Sequence, residues 1–321
     1  MKTEQIDPKN IERAAELLKQ GEVVAFPTET VYGLGASLFL EEAVKKVFQA
    51  KGRPSDNPLI AHICDLSFVD QIAQNIPQAF YRLAEVFFPG PLTIVLPKRK
   101  EVPSVVSGGL DYIAVRMPRH KLAQELIRLV GSPLVAPSAN LSGKPSATSV
   151  SHVLEDFDGK IAGVLCGESS EIGIESTVIR WNEGLVEILR PGSISSEEIE
   201  ACLQQKVTFY KPKTNLDAPV SPGLKYRHYA PVAKVFVFAS EQEAIAALSF
   251  SSSKKMILSN RSLNQEEVFP LDPSSFYAFL RQADALHYEE IWIVCDAKTW
   301  QNKGFMDRIE KSAGLLSLSL K

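Results

Sequence analysis

The most restrictive feature of the sequence is a series of short apolar segments that do not alternate strictly with helical ones. Each is rich in Val, Ile or Leu and is bounded by Gly or Pro, a pattern typical of β-strands. They are Val23–Phe26, Leu59–Ile63, Leu92–Leu96, Tyr112–Met117, Leu134–Ala136, Gly163–Cys166, Ser176–Trp181 and Val186–Leu189. The last two are separated only by the turn Asn182–Gly184, whereas parallel neighbours need a long crossover. With a helix predicted at Asn10–Lys19, the first 203 residues therefore predict an α/β domain with a mixed sheet.

A second feature divides the chain between Gln204 and Pro231, where regular patterning stops. This segment carries five Lys or Arg residues against one acidic residue, a net charge of +4 in a chain of net charge −3. It is interrupted by Pro212, Pro219 and Pro222. Such a composition predicts a linker.

The remaining residues alternate strand and helix patterns again. The predicted strands are Val235–Phe238, Met256–Leu258 and Ile291–Val294, and the clearest helical stretch is Ser274–Leu286. This pattern predicts a small Rossmann-like open α/β domain. The predicted organisation is therefore a first domain at 1–203, a linker at 204–231 and a C-terminal domain at 232–321.

Charge and hydropathy exclude several classes of protein. A net charge of −3 argues against a protein that coats nucleic acid. The longest uncharged stretch, Leu129–Gly143, is shorter than the roughly 18 apolar residues of a membrane span and contains two prolines. The polar start MKTEQIDPKN lacks the apolar core of a secretion signal. We therefore expect a cytoplasmic protein with no membrane contact.

Common catalytic signatures are missing. The sequence has no G-x-x-x-x-G-K-[ST] phosphate loop, and Leu38 stands where a dinucleotide fingerprint starting at Gly33 needs its third glycine. It also lacks H-E-x-x-H, G-x-S-x-G and C-x-x-C, and no histidine pair has metal-ligand spacing. We expect no metal ligands from the protein itself, whereas Mg²⁺ can arrive bound to substrate phosphates. Two histidines, His62 and His228, lie beside candidate motifs, and His120, His152 and His287 are expected at the surface.

Polar clusters at strand ends are the remaining candidates for a site, because open α/β sheets present their ligands there. PTETVYGLG (27–35) offers hydroxyl groups and glycines that suit a small polar ligand, but by itself it is more typical of a structural turn. KGRPSDNP (51–58) supplies Lys51 and Arg53 beside Asn57, which suits a polyphosphate or simply the end of a helix.

Further along the chain, Arg116 lies within an apolar strand candidate and needs an anionic partner if it points inward. Ser138 and Asn140 in APSAN, Ser146 in KPSAT, and the motifs IEST and LRPG follow at or beside strand ends.

These motifs, in this order, resemble the Sua5/YrdC family. The resemblance is carried by PTETVYGLG, KGRPSDNPLIAHI, FPGPLT, GLDYIAVRMP, APSANLSGKPS, GIESTVI, LRPG and SPGLKYRHYAP, which are distributed in this order over residues 22–231. The last motif and the domain after it indicate the two-domain Sua5 form, although the C-terminal domain matches more weakly, mainly through GFMDRIEKSAG (304–314). The resemblance implies a YrdC-like mixed twisted sheet with helices around a concave cavity.

It also implies an activity, the condensation of L-threonine, bicarbonate and ATP to threonylcarbamoyl-AMP with release of pyrophosphate, with Mg²⁺ bound to the ATP. The product would pass to the machinery that makes N6-threonylcarbamoyladenosine at position 37 of tRNA. The implied threonine contacts are Thr30, His62, Arg116, Ala136 and Ser176. The implied ATP contacts are Arg53, Asn57, Tyr112, Ser138, Ser146, Arg190 and the linker residue Tyr226, with Tyr229 as the alternative to Tyr226. The implied catalytic residues are Lys51, Arg53, Ser138 and Asn140.

From its charge and its tyrosines we expect the linker to act as a lid over the nucleotide, with the C-terminal domain mainly anchoring its far end. The alternative function is a non-enzymatic RNA-binding module, or weak RNA binding by the enzyme. Residues 1–203 carry 20 basic and 26 acidic residues, a net charge of −6, which argues against a broad RNA footprint. A hydrogenase-maturation carbamoyltransferase, which also contains a YrdC-like domain, is disfavoured because its C-x-x-C zinc fingers are absent.

Overall fold

The computed structural model describes residues 2–182, 184–211, 229–263 and 267–314. Within them, a large sheet of eleven strands forms the centre of the first domain. Its strands are β1 (Glu4–Ile6), β2 (Val24–Phe26), β3 (Gly33–Ser37), β4 (Ile60–His62), β5 (Leu92–Pro97), β6 (Tyr112–Arg116), β7 (Leu134–Val135), β8 (Gly163–Leu165), β9 (Thr177–Asn182), β10 (Leu185–Arg190) and β11 (Val207–Phe209). Their order across the sheet is β1-β8-β2-β3-β7-β4-β6-β5-β9-β10-β11.

The sheet is mixed, as predicted. β4 and β6 are parallel, β5 and β6 are antiparallel, and the short turn after Asn182 joins β9 and β10 as an antiparallel pair. The prediction missed β1 and β3. It was also wrong to end all regular structure at Gln204, because β11 lies in the predicted linker and pairs with β10 in parallel.

Helices cover this sheet. They are α1 (Ile11–Lys19), α2 (Glu41–Lys51), α3 (Val69–Ile72), α4 (Gln78–Phe87), α5 (Ser104–Ser107), α6 (Lys121–Val130), α7 (Val150–Phe157) and α8 (Ser196–Leu203). The first helix begins at Ile11, one residue later than predicted, because Pro8–Asn10 forms a 3₁₀ turn capped by the Asp7 side chain.

The two faces of the central strands have different surroundings. One set of alternate side chains, including Ala61, Ile94 and Val115, joins the main hydrophobic core with α2 and α4. The other set, including Ile60, Val95 and Ala114, forms a small separate apolar cluster. Because side chains alternate along a strand, His62 and Arg116 share the face of this small cluster. This second face therefore carries two of the predicted site residues.

The C-terminal domain is an open α/β structure, as predicted. Its strands are β12 (Lys234–Phe238), β13 (Lys255–Ser259), β14 (Val268–Phe269) and β15 (Glu290–Val294), in the order β12-β15-β13-β14 and all parallel. Its helices are α9 (Glu241–Leu248), α10 (Pro273–Ala285), α11 (Ala297–Gln301) and α12 (Lys303–Ser312). None of the helices in the described part of the chain combines the length and apolar sequence that a bilayer span requires.

Most of the predicted linker, including Tyr226 and His228, lies outside the described residues, so the lid remains a prediction. Tyr229, at the end of this segment, is 4% exposed and stacks on Tyr277 of α10 with ring centroids 5.3 Å apart. Tyr229 is therefore fixed by aromatic packing in an apolar cluster that α10 and α12 share with Val31 and Ile174 of the first domain.

Candidate functional site

The first group of polar side chains surrounds Arg116, the last residue of β6. Its side chain is 4% exposed and donates hydrogen bonds to Thr30 Oγ1 at 2.8 Å and to Glu29 Oε1 at 2.7 Å. The Nε atom is 3.4 Å from the carbonyl oxygen of Gly90. Thr30 in turn is 2.9 Å from the hydroxyl of Thr28. The PTETVYGLG motif thus bends over the second face of the sheet and supplies the anionic partner that a buried arginine requires.

Glu29 is a buried residue of this group that sequence reasoning missed. Burial raises the pKa of its carboxyl group, but the Arg116 cation and the hydrogen bonds to the carboxylate together hold the pKa below its usual value. One carboxylate oxygen, Oε1, is paired with Arg116. The other, Oε2, is buried and has no hydrogen-bond partner among the described residues. The visible signal was a single acidic residue inside an otherwise uncharged motif.

His62 lies beside Arg116, because β4 and β6 place the two residues in register. It is 2% exposed, and its Nδ1 is 3.2 Å from the carbonyl oxygen of Ile60. Burial, and then the neighbouring Arg116 cation, lower the pKa of its imidazole to about 3. At neutral pH the ring is therefore an uncharged hydrogen-bonding group.

We expect a titration of the imidazole NMR signals, assigned with a His62→Gln variant, to show that His62 takes up a proton only near pH 3. Because the folded pKa lies below the unfolded value of 6.5, the unfolded chain binds more protons between these values. The contribution of the neutral ring to stability is complete above pH 6.5 and is lost as the pH falls toward 3. A titration midpoint near 6.5 would show that the ring is solvated and would contradict this environment.

The second group joins the starts of β5 and β9 to the end of β10. Thr93 Oγ1 and Ser176 Oγ are 2.7 Å apart and fully buried. Arg190 donates to the Ser176 hydroxyl at 3.1 Å and to its carbonyl oxygen at 3.0 Å. A bulge between Ile188 and Arg190 interrupts the β9–β10 ladder at this point. A guanidinium group and two hydroxyl groups therefore meet at one end of three adjacent strands.

The third group surrounds the loop 138–146. Lys51, at the end of α2, donates to the carbonyl oxygens of Ser138 and Asn140, both at 2.5 Å. The Asn140 amide nitrogen donates to the carbonyl oxygens of Leu141 at 2.8 Å and Lys144 at 2.9 Å. Burial lowers the pKa of the Lys51 ammonium group well below its usual value. In this structure Lys51 and Asn140 hold the backbone of the loop in place.

Ser146, at the end of this loop, donates to Glu175 Oε1 at 2.5 Å. Glu175 also accepts from Arg308 Nε at 2.8 Å and from the Tyr277 hydroxyl at 3.1 Å. Burial alone would raise the pKa of Glu175, but Arg308 and then Arg190 lower it to about 2. Glu175 is the second residue that the sequence analysis missed, although it immediately precedes Ser176.

The remaining predicted residues lie in the following places. The Arg53 guanidinium donates to the carbonyl oxygens of Asn57 at 3.3 Å and Pro58 at 3.0 Å, so it shapes its own loop. The buried Oδ1 of Asn57 has no hydrogen-bond partner among the described residues. Tyr112 is 53% exposed and shares the face of Ala114 and Arg116. Ala136 follows β7, and its amide donates to the carbonyl oxygen of Ile60 at 3.1 Å.

His120, His152 and His287 were predicted to lie at the surface. This is confirmed for His287 and wrong for His120 and His152. His120 and His152 are half-buried. His152 Nδ1 lies 3.3 Å from the hydroxyl of Thr148, because α7 packs this side chain back onto the loop before it. No group of three or more His, Cys, Asp or Glu residues in the described ranges is arranged to hold a metal ion.

Comparisons with known proteins agree with this architecture. The Sua5–YciO–YrdC family model, described as "Telomere recombination", matches residues 16–192. A second model, described as "Threonylcarbamoyl-AMP synthase, C-terminal domain", matches residues 194–314. A threonylcarbamoyl-AMP synthase from Pyrococcus abyssi is 42% identical over 330 residues, which cover 97% of this chain and 96% of that protein. The Bacillus subtilis protein of the same name is 48% identical over 243 residues, covering 75% of this chain and 70% of the relative.

Solved structures show the same similarity. Sua5 of P. abyssi complexed with L-threonine superposes with a TM-score of 0.91 at 40% identity, covering 98% of both chains. YciO of Escherichia coli matches with a TM-score of 0.55 at 21% identity over 61% of this chain and 98% of YciO. The second similarity concerns the fold of the first domain.

Proposed function

The chain belongs to the Sua5–YciO–YrdC family, and from this membership we infer that it is a transferase that makes threonylcarbamoyl-AMP. The reaction condenses L-threonine, bicarbonate and ATP and releases pyrophosphate. The structural observation that carries the inference is the convergence of the Arg116, Ser176 and Ser146 groups, which supplies separate basic and hydroxyl groups for an amino acid and a nucleotide. The reaction requires no covalent nucleophile from the enzyme.

We propose that the first group forms the amino-acid side of the site. Arg116 would bind the threonine carboxylate, since a guanidinium pairs with carboxylates in a bidentate geometry. Glu29 and Thr30 fix its orientation at 2.7 and 2.8 Å. The neutral His62 and the Ser176 hydroxyl would contact the rest of the amino acid, and Ala136 would lie beside it.

Arg190 of the second group and the third group form the proposed nucleotide side. Arg190 is buried and donates to two oxygen atoms of Ser176, leaving its charge without a carboxylate partner among the described hydrogen bonds. Together with Lys51 and Arg53 it would offset the phosphate charge of ATP. Ser138, Ser146, Asn57 and Tyr112 would contribute hydrogen bonds or ring contacts, and Tyr226 would reach the nucleotide from the linker. Mg²⁺ would enter with the ATP phosphates, where it neutralises their charge.

The chemistry then depends mainly on positioning. The threonine amine attacks bicarbonate and water is lost, which gives a carbamate. A carbamate oxygen attacks the α-phosphate of ATP, and the bond to the bridging oxygen breaks as pyrophosphate leaves. Holding three reactants in this geometry supplies about 7–11 kcal/mol of the barrier reduction. Lys51 and Asn140 contribute by fixing the backbone of residues 138–146, from which Ser138 and Ser146 project.

We expect pyrophosphate release only when threonine, bicarbonate and MgATP are all present, because the carbamate is the attacking group. Coupled detection of pyrophosphate, with identification of threonylcarbamoyl-AMP by mass, checks this. The controls omit one reactant at a time. ADP and orthophosphate as the first products would contradict attack at the α-phosphate.

We further propose that the product serves N6-threonylcarbamoyladenosine formation at position 37 of tRNA, through a separate enzyme that transfers the threonylcarbamoyl group. A mixed anhydride of a carbamate and AMP is an activated acyl donor, so a partner enzyme that presents an amine of the nucleic acid is the natural recipient.

A further inference from the structure

The C-terminal domain places two buried arginines against the first domain. Arg308 lies on α12 and has no exposed surface, and Arg281 lies on α10 and is 5% exposed. Both donate hydrogen bonds to residues more than a hundred positions earlier in the chain. The domain therefore contacts the first domain through specific charged groups.

Arg308 is connected to the nucleotide side through Glu175. Its Nε atom donates to Glu175 Oε2 at 2.8 Å, and the opposite oxygen of the same carboxylate accepts from Ser146 at 2.5 Å. Its Nη1 atom donates to the carbonyl oxygen of Pro191 at 2.9 Å, directly after Arg190. A single guanidinium group thus fixes the positions of both Ser146 and the Arg190 segment.

Arg281 supports the other end of the same loop. It donates to the carbonyl oxygen of Pro145 at 2.7 Å and to Asp156 Oδ2 at 2.7 Å. The same Asp156 oxygen accepts the backbone amide of Leu141 at 3.0 Å. The loop from Leu141 to Ser146 is therefore held at both ends through residues of the C-terminal domain.

The charges have a further consequence for an anionic ligand. Glu175 is close enough to Arg190 for each to shift the pKa of the other. Without Arg308, the negative charge of the ionised Glu175 would offset the positive charge of Arg190 and would repel phosphate groups. Pairing Glu175 with Arg308 leaves the positive charge of Arg190 available to the nucleotide.

The amino-acid side is built differently. The hydrogen bonds of Arg116 go to Glu29, Thr30 and Gly90, which all belong to the first domain. His62 is fixed by β4 and by the carbonyl oxygen of Ile60. The hydrogen bonds of Arg116 and His62 therefore lie within the first domain, although Val31, beside Thr30, packs in the apolar cluster of the C-terminal domain.

We propose that Glu175 and Arg308 are positioning residues that make ATP binding, but not threonine binding, depend on the docked C-terminal domain. This rests on the proposed function, since it assumes that Ser146 and Arg190 face ATP. It assigns to the domain the task of completing the nucleotide half of the site.

The test compares ligand dissociation constants of full-length variants by calorimetry. We expect Arg308→Gln to weaken MgATP binding about tenfold or more, because a charge-assisted contact is lost and an unpaired carboxylate remains. The threonine dissociation constant, measured without nucleotide, should stay within about twofold of wild type, a negligible free-energy change. Arg308→Lys should retain part of the ATP affinity. The double variant Glu175→Gln/Arg308→Gln should bind ATP more tightly than Arg308→Gln alone, which a merely structural role does not predict.

Two further variants control for folding. Met306→Ala removes a fully buried side chain from the same helix without touching Glu175, so it should lower the melting temperature while ATP affinity stays near wild type. Tyr277→Phe deletes only the 3.1 Å hydrogen bond to Glu175 and keeps the aromatic packing, and it should weaken ATP binding by a smaller factor than Arg308→Gln.

Unchanged ATP affinity in folded Arg308→Gln, or equal loss of both ligands, would overturn the positioning role. ATP affinity that falls as far in Met306→Ala as in Arg308→Gln would also overturn it. A wild-type chain that binds no ATP would instead contradict the proposed function itself, so the two failures are distinguishable.

Discussion

An Arg116→Ala variant is expected to bind L-threonine about ten- to a hundredfold more weakly, since a charged hydrogen bond is worth about 1.5–3 kcal/mol. The structure adds a second expected effect. Arg116 and Glu29 form an ion pair in which both side chains are at most 5% exposed. Removing one member of such a pair strands a buried charge and typically costs about 3–5 kcal/mol of folding free energy. Calorimetry with threonine and chemical denaturation measure the two effects separately.

The double variant Arg116→Ala/Glu29→Gln is the matched control. It removes the stranded carboxylate, so it should recover part of the unfolding free energy while threonine affinity stays low.

The effect of Arg116→Ala on the free energy of unfolding should also depend on pH, and the sign of this dependence is defined. In wild type the pKa of Glu29 is lowered, so its ion pair stabilises the fold above the unfolded value of about 4.5 and loses this effect in acid. The stability gap between wild type and Arg116→Ala should therefore narrow below pH 4.5. Wild-type threonine affinity in a folded Arg116→Ala variant would remove this residue from the site.

A Gly304→Ala variant is expected to separate the two domains. In an ordinary helix interior this change stabilises by about 1 kcal/mol. Here, a Cβ on Gly304 would overlap with the O, C and Cα atoms of Gly192. These are backbone atoms, so no side-chain rotation can relieve the overlap. Gly192 itself is confined by the backbone of Glu175 and Thr177. We therefore expect a loss of about 1–3 kcal/mol or more, seen as a lower melting temperature, with reduced ATP affinity.

Gln301→Ala is the control for Gly304→Ala, because it changes an exposed residue three positions earlier, at the end of α11, and leaves the contact with Gly192 intact. It should keep the melting temperature and the ATP affinity of wild type. A Gly304→Ala variant as stable as wild type would mean that the two backbones approach less closely than described.

Local sequence was sufficient to predict the strands that are rich in Val, Ile and Leu, because such side chains favour a pleated, half-buried surface. It was insufficient for β3, whose sequence GLGAS has no β-branched residue. This strand pairs with β2 and β7, and it needs glycine at position 35 because a Cβ there would be only 2.7 Å from a ring carbon of Phe26. The short edge strands β1 and β11 depend on pairing partners distant in the sequence, which local patterning does not contain.

In the candidate site, too, local sequence predicted some residues, whereas others depend on the tertiary structure. The motifs at strand ends pointed to Arg116, Ser176 and Arg190 as site candidates, because these residue types are costly to bury without partners. The identity of the partners depends on tertiary structure. Glu29 and Glu175 each stood next to a chosen residue, and their importance follows from ion pairs with arginines that lie far away in the sequence.

The division of the site between two domains also sets an order of events during synthesis. Domains fold as units as the chain leaves the ribosome, at about 5–20 residues per second. Thr30, His62 and Arg116 are all present once the first domain has emerged, whereas Arg308 follows Arg190 by 118 positions. A nascent chain would therefore acquire its amino-acid side first and its nucleotide side only when α12 docks. Under the proposed role of Arg308, ATP binds weakly until α12 docks, so translation products that stop before α12 would bind threonine but activate it poorly.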